Sequence, residues 1–226
     1  MAVLRRLVLV ALCAGALSGI FSTIAHHVGT VPIILKAEVY EKAAVHADAH
    51  APEHPAAWEP EEGAERTAYT LLADLLTGVG FALLLGAGLT LQDGEVTWRD
   101  GLFWGLAGFA TFTLAPGLGL PPQVPGTEAA PLLERQIWWA ATASATGSAL
   151  ALLLFTTRPL WAICAAVLIV APHLYGAPQP TDHGSGPPEN LAHQFVVAVT
   201  IVSFLFWLVL GTSTGYFYRR LRPRTA

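Results

Sequence analysis

Apolar and polar positions alternate along the chain in long blocks rather than in residue-to-residue periods. Six apolar blocks stand out: Leu4–Ile24, Tyr69–Leu91, Gly101–Leu120, Ile137–Phe155, Leu160–Gly176 and His193–Phe217. A helix of about 20 mostly apolar residues crosses a bilayer. The pattern therefore predicts an all-α polytopic membrane protein with about six transmembrane helices, the fifth being the shortest. Residues 1–226 read as one integral membrane domain, and residues 26–68 form its one long polar connection, a His/acid-rich loop. Arg5 and Arg6 before the first block give it the look of a signal peptide, but its length and the five later blocks predict a retained anchor.

Composition narrows the class further. Charged residues make up 12% of the chain, against about 25% in soluble domains, which excludes a soluble enzyme domain and a disordered protein. A net charge of −4 excludes a nucleic-acid binder. Cys13 and Cys164 both lie in apolar blocks and read as small hydrophobes, not as a disulfide framework.

Charge asymmetry sets the predicted orientation. With the N-terminus cytoplasmic, that side carries Arg5, Arg6, Arg99, Arg158, Arg219, Arg220, Arg222 and Arg224 against Asp93, Glu95 and Asp100. The other side holds Lys36, Lys42, Arg66 and Arg135 together with the remaining acids outside the spans. An even number of spans places both termini inside, in a multi-pass membrane protein.

All eight histidines then fall outside or in the outer part of a span. The 26–68 loop combines His46, His50 and His54 with Glu38 and Asp48 among other acids, and His183 lies in the last outer loop. Imidazole and carboxylate together suit cobalt, nickel, zinc or copper, whereas calcium or magnesium would use oxygen alone. Good helix formers over 35–50 predict that the first helix runs on until Pro52, with Glu38, Lys42, His46 and His50 four apart on one face. The same loop could equally be a solvated linker, and His26 and His27 at the membrane edge read as interfacial.

A repeat marks the outer ends of the third and fifth spans. Ala115-Pro116-Gly117-Leu118-Gly119-Leu120-Pro121-Pro122-Gln123 aligns with Ala171-Pro172-His173-Leu174-Tyr175-Gly176-Ala177-Pro178-Gln179, succeeded by Leu133-x-x-Gln136 and Leu191-x-x-Gln194. With Pro32 near the end of the first span, this predicts three like-oriented helical hairpins with proline-broken ends, as in parallel-repeat transporters. His173 is the favoured buried ligand, with Glu134, Arg135, Gln136, His193 and Gln194 at the same depth as pathway groups. Asp74 is the one acid well inside a span, a functional position by default, or else a partner of Arg66 or Arg135. Gly78, Gly80, Gly86, Gly88, Gly101, Gly105 and Gly108 read as close helix packing. No nucleotide-binding motif is present.

The segments Ile34–Glu41, Glu65–Ala82, Gly105–Phe109, Ala115–Pro122, Arg135–Trp139, Ala171–Gln179 and Phe206–Gly211 together resemble the CbtA family of predicted cobalt transporters. The chain departs from the family in a sparser histidine loop and in Asp74, where members tend to carry Asn. The resemblance implies a cobalt permease subunit of a bacterial cytoplasmic (inner) membrane, tied to cobalamin supply and often paired with a small single-span subunit, CbtB. It implies Co2+ as transported ion, with no resident cofactor.

The leading reading is therefore a divalent-metal uptake subunit, not an enzyme, which captures its ion on outer-face His, Asp and Glu and works alone, as a homo-oligomer or with a partner. Capture should weaken as imidazoles protonate. The alternative is a non-transporting metal-binding membrane module, such as a sensor, scaffold or assembly factor. A membrane enzyme is disfavoured because no HExxH-like or Ser/His/Asp spacing occurs.

Overall fold

In a computed structural model, residues 2–47, 58, 60–92, 94–180 and 187–222 are described. Among them the chain is helical throughout: α1 (Ala2–Gly29), α2 (Val31–Ala47), α3 (Ala64–Leu89), α4 (Trp98–Phe109), a π-helical turn (Ala110–Leu114), α5 (Ala115–Gly119), α6 (Leu132–Phe155), α7 (Pro159–Tyr175) and α8 (Glu189–Arg220). Five stretches are long and apolar enough to cross a membrane, namely Val3–Gly29, Ala64–Leu89, Trp98–Gly119, Leu132–Phe155 and Glu189–Arg220; Pro159–Tyr175 is apolar but shorter. Only 28 to 39% of each span's apolar window is buried, so most of the apolar surface is left for lipid, which solvates it without cost.

The chain divides into two compact units. The first comprises Met1–Gly29, His50–Leu106 and Val202–Ala226, and the second comprises Thr30–Ala49 and Ala107–Ile201.

Small residues dictate the packing of the first unit. Gly15 and Gly19 of α1 lie against the backbone of Gly78, Val79 and Leu75 of α3. Rising numbers on α1 meet falling numbers on α3, so the pair is antiparallel. A second antiparallel pair forms where Gly101 and Gly105 of α4 meet Gly211 and Gly215 of α8. Such backbone approach, not a hydrophobic drive, holds helices together in lipid. Gly86 and Gly88 give way to Leu7 and Trp104, but a side chain at Gly80 would meet nothing within 4 Å. The expectation of close packing fails at Gly80, which sits on the exposed face of α3.

The two ends of the chain are clamped in this unit. The Arg6 guanidinium donates to the Tyr218 carbonyl through both Nε (3.1 Å) and Nη2, and its carbon lies 3.7 Å over the Tyr218 ring. A cation at the carbonyl end of α8 also opposes that helix's dipole. The start of α1 and the end of α8 thus lie side by side. α4 begins where Asp100 reaches back over its first turn, the Thr97 amide and hydroxyl both donating to Asp100 Oδ2 at 2.7 Å.

In the second unit α7 runs back along α6. Trp138, early in α6, meets Pro172 and His173, late in α7. The short α7 therefore returns the chain toward the end from which α6 set out. A cluster of Ala37, Val124, Leu191 and Phe195 packs α2, the loop after α5 and the start of α8.

The prolines act differently from the expected breaks. Before Pro32 the helix does stop: Thr30 forms a turn, its carbonyl accepts from Ile33 and Ile34 at 3.0 Å, and α2 starts anew. α2 is thus a separate helix, not a continuation of α1, because proline removes a donor and crowds the preceding turn. Pro116 is accommodated by the π turn before it, where the Ala115 amide reaches back five residues to Ala110. Pro172 lies inside an unbroken α7, which ends only at Gly176, whose φ of 90° favours glycine.

Candidate functional site

Residues 19, 22, 23 and 26 recur at helical spacing on one face of α1, where the stripe of small residues turns polar. Asp74 faces them from α3, one turn before Gly78. Thr23 Oγ1 donates to Asp74 Oδ2 at 2.8 Å and Ser22 Oγ to Oδ1 at 3.4 Å, while His26 Nε2 stands 3.9 Å from Oδ1. The Thr23 hydroxyl also lies 3.0 Å from the Gly19 carbonyl; with one hydrogen it serves one acceptor at a time. Side-chain exposure is 15% for Asp74 and 29% for His26. The carboxylate is thus held by two hydroxyls and faced by an imidazole. His26 faces Asp74 and is not merely interfacial. The signal for this in the sequence was the Ser22/Thr23/His26 spacing, legible only once α3 is known to pack on that face.

His173, in the second unit, is half-buried with its ring edge-on to Trp138, centroids 5.8 Å apart. Trp138 Nε1 donates to the Pro172 carbonyl at 3.3 Å, and its ring fills the space that Gly119 leaves open. The tails of the two repeats meet there: a side chain at Gly119 would lie 3.1 Å from Ala177 Cβ. Beside them is a cavity of about 850 Å³, to which Arg135, Gln136, Gln123 and Gln179 contribute. Glu134, His193 and Gln194 are exposed, and none of them, nor His173, lines it. Replacing Trp138 by Phe removes one hydrogen bond and keeps most of the ring, so it should cost about 1 kcal/mol and lower Tm by about 2–4 °C in detergent. An unchanged Tm would mean that the indole N–H contributes nothing.

Glu38 is half-buried on α2. His46 belongs to the last turn of α2, its side chain being outside the described residues, as are Asp48, His50, His54 and His183. Among the described residues no group of three or more His, Cys, Asp or Glu could hold a metal. The Asp74/His26 pair is a carboxylate facing an imidazole across 3.9 Å.

Comparison with curated proteins and with solved structures found no significant match. A family model described as "probable cobalt transporter subunit (CbtA)" matches residues 4–219, and the chain belongs to that family.

Proposed function

We propose that this chain is a subunit of a cobalt uptake transporter of a bacterial cytoplasmic membrane, with both termini cytoplasmic, and that Asp74 with His26 forms an ion-handling step inside the membrane. The observation that carries this is a carboxylate, an imidazole and two hydroxyls gathered between α1 and α3, in a segment where an unused carboxylate is costly. Two ligands on one ion with bonds of about 2.1 Å stand about 3–3.4 Å apart. The 3.9 Å separation of His26 Nε2 and Asp74 Oδ1 is within a small side-chain adjustment of that. The histidines and acids of 26–68, His46, His50, His54, Glu38 and Asp48 among them, serve to concentrate the dication electrostatically. His173 and His183 are further ligands on the same side. The adjacency of the two chain ends favours an even number of passes and so a shared side for the termini.

Copper, and usually nickel and zinc, bind N/O ligands at least as tightly as cobalt, so selectivity must come from geometry or from a partner such as a small single-span subunit or a second copy. The test is radiolabelled cobalt uptake in cells expressing the chain with and without that small partner, against nickel and zinc competitors. Accumulation above the empty-vector control is expected. If neither combination exceeds it, the transport reading falls and a non-transporting metal-binding module takes its place.

A further inference from the structure

The 850 Å³ cavity of the second unit has the wrong chemistry for a bare dication. It is far larger than an ion requires and falls in the range of small-molecule sites. Among the described residues no Asp, Glu or His lines it; its polar lining includes the Arg135 guanidinium and the amides of Gln123, Gln136 and Gln179, with the Trp139 ring as one wall. A cationic lining repels Co2+ and attracts anions.

Two independent features strengthen that sign. The start of α6 enters the cavity through Leu132, Arg135, Gln136 and Trp139, and no side chain caps this helix at Pro131. The first intrahelical bond is Arg135 N to Pro131 O, so the amides ahead of it add the positive end of a 24-residue helix. Second, Arg135 Nε is buried with no hydrogen-bond partner among the described residues, and its Nη1 makes only a long 3.5 Å contact with Gln123 Oε1. A guanidinium with a vacant donor edge is shaped for a carboxylate or phosphate. Glu134, next in sequence, and Glu41, which abuts Gly126, are both exposed and outside the lining.

We infer that this cavity is an oxyanion site, and that the metal reaches the transporter there as an anionic carboxylate chelate, not as the aqua ion. The second half of this rests on the transport reading; the first does not. Arg135 and the α6 amides hold the oxyanion face of the chelate, and the glutamine amides can donate to its remaining oxygens or accept from metal-bound water. The dication is then surrendered to imidazole and carboxylate ligands elsewhere in the chain.

The test uses the full chain in nanodiscs of neutral phosphatidylcholine and isothermal titration with citrate, with equimolar cobalt citrate and with cobalt chloride. Citrate and cobalt citrate should both bind, and R135Q should weaken both by about tenfold or more, with R135K intermediate because it keeps the charge and loses the planar fork. Q123A, which leaves the guanidinium in place, should weaken them less; it serves as the second variant if R135Q does not purify as a monodisperse species. Absence of citrate binding, or binding untouched by both variants, overturns the oxyanion site. Loss of citrate binding when phosphatidylglycerol replaces part of the lipid would assign the site to a lipid headgroup and overturn the chelate. Uptake separates the two proposals: cobalt supplied with citrate should enter faster than cobalt alone, and the advantage should vanish in R135Q. Equal uptake of both forms overturns the chelate and leaves transport standing. No uptake of either, with citrate binding intact, overturns transport and leaves the oxyanion site.

Discussion

Cobalt uptake by the Asp74→Ala variant should fall to the empty-vector level, whereas Asp74→Asn should keep its maximal rate and raise KM by about 10- to 100-fold, the loss expected when a charged contact becomes a neutral one. The two substitutions separate what the carboxylate supplies. Asparagine retains an oxygen at the position of Oδ1, where it can still accept from Ser22, and loses the charge together with the acceptor that Thr23 reaches at Oδ2. Alanine removes the oxygen as well. His26→Gln, which takes away the nitrogen facing Oδ1, should act in the same direction as Asp74→Asn. Saturation curves in whole cells, normalised to membrane protein level by immunoblot, decide between these outcomes. A wild-type curve for Asp74→Ala would remove the α1–α3 cluster from the ion's path and leave the pathway to the second unit.

How much of this was legible in the sequence depends on the length over which each signal acts. Apolar blocks report helices directly, since each needs about 20 residues of one character, and all six blocks appear as helices. Pro32, Pro116 and Pro172 look alike as letters, yet one ends a helix, one is absorbed by a π turn and one sits inside an unbroken helix. The effect of a proline on its helix depends on whether the neighbouring carbonyls find other donors, and packing sets that. The partners of Asp74 were hidden for the same reason. Arg66 and Arg135 were attractive by charge, but the residues that reach it are 48 to 52 positions away on α1, brought there by glycines. Arg135 was legible as a polar group at the right depth, though not as the cationic part of a cavity built from both repeat tails.

The glycines themselves allow the sharpest structural test. Gly15→Leu should destabilise the protein by about 3 kcal/mol or more, since insertion of bulk into a tight contact costs about 1–3 kcal/mol even where side chains can move aside. Here the neighbours cannot. A Cβ on Gly15 would stand 2.6 Å from Val79 Cα and 2.7 Å from the Gly78 carbonyl carbon, both backbone atoms of α3, so α1 and α3 must separate along their length. That separation also pulls Ser22 and Thr23 from Asp74, so residual protein should have lost cobalt uptake too. Gly80→Leu is the matched control on α3. It lies two residues from Gly78, yet a Cβ there would meet nothing within 4 Å, and leucine is the better helix former by about 0.8 kcal/mol. It should leave Tm unchanged or slightly raised. The measurement is the monodisperse fraction and thermal midpoint of each detergent-solubilised variant. Equal behaviour of Gly15→Leu and Gly80→Leu would mean that the α1–α3 approach is not what holds the first unit together, and the cluster around Asp74 would lose its structural basis.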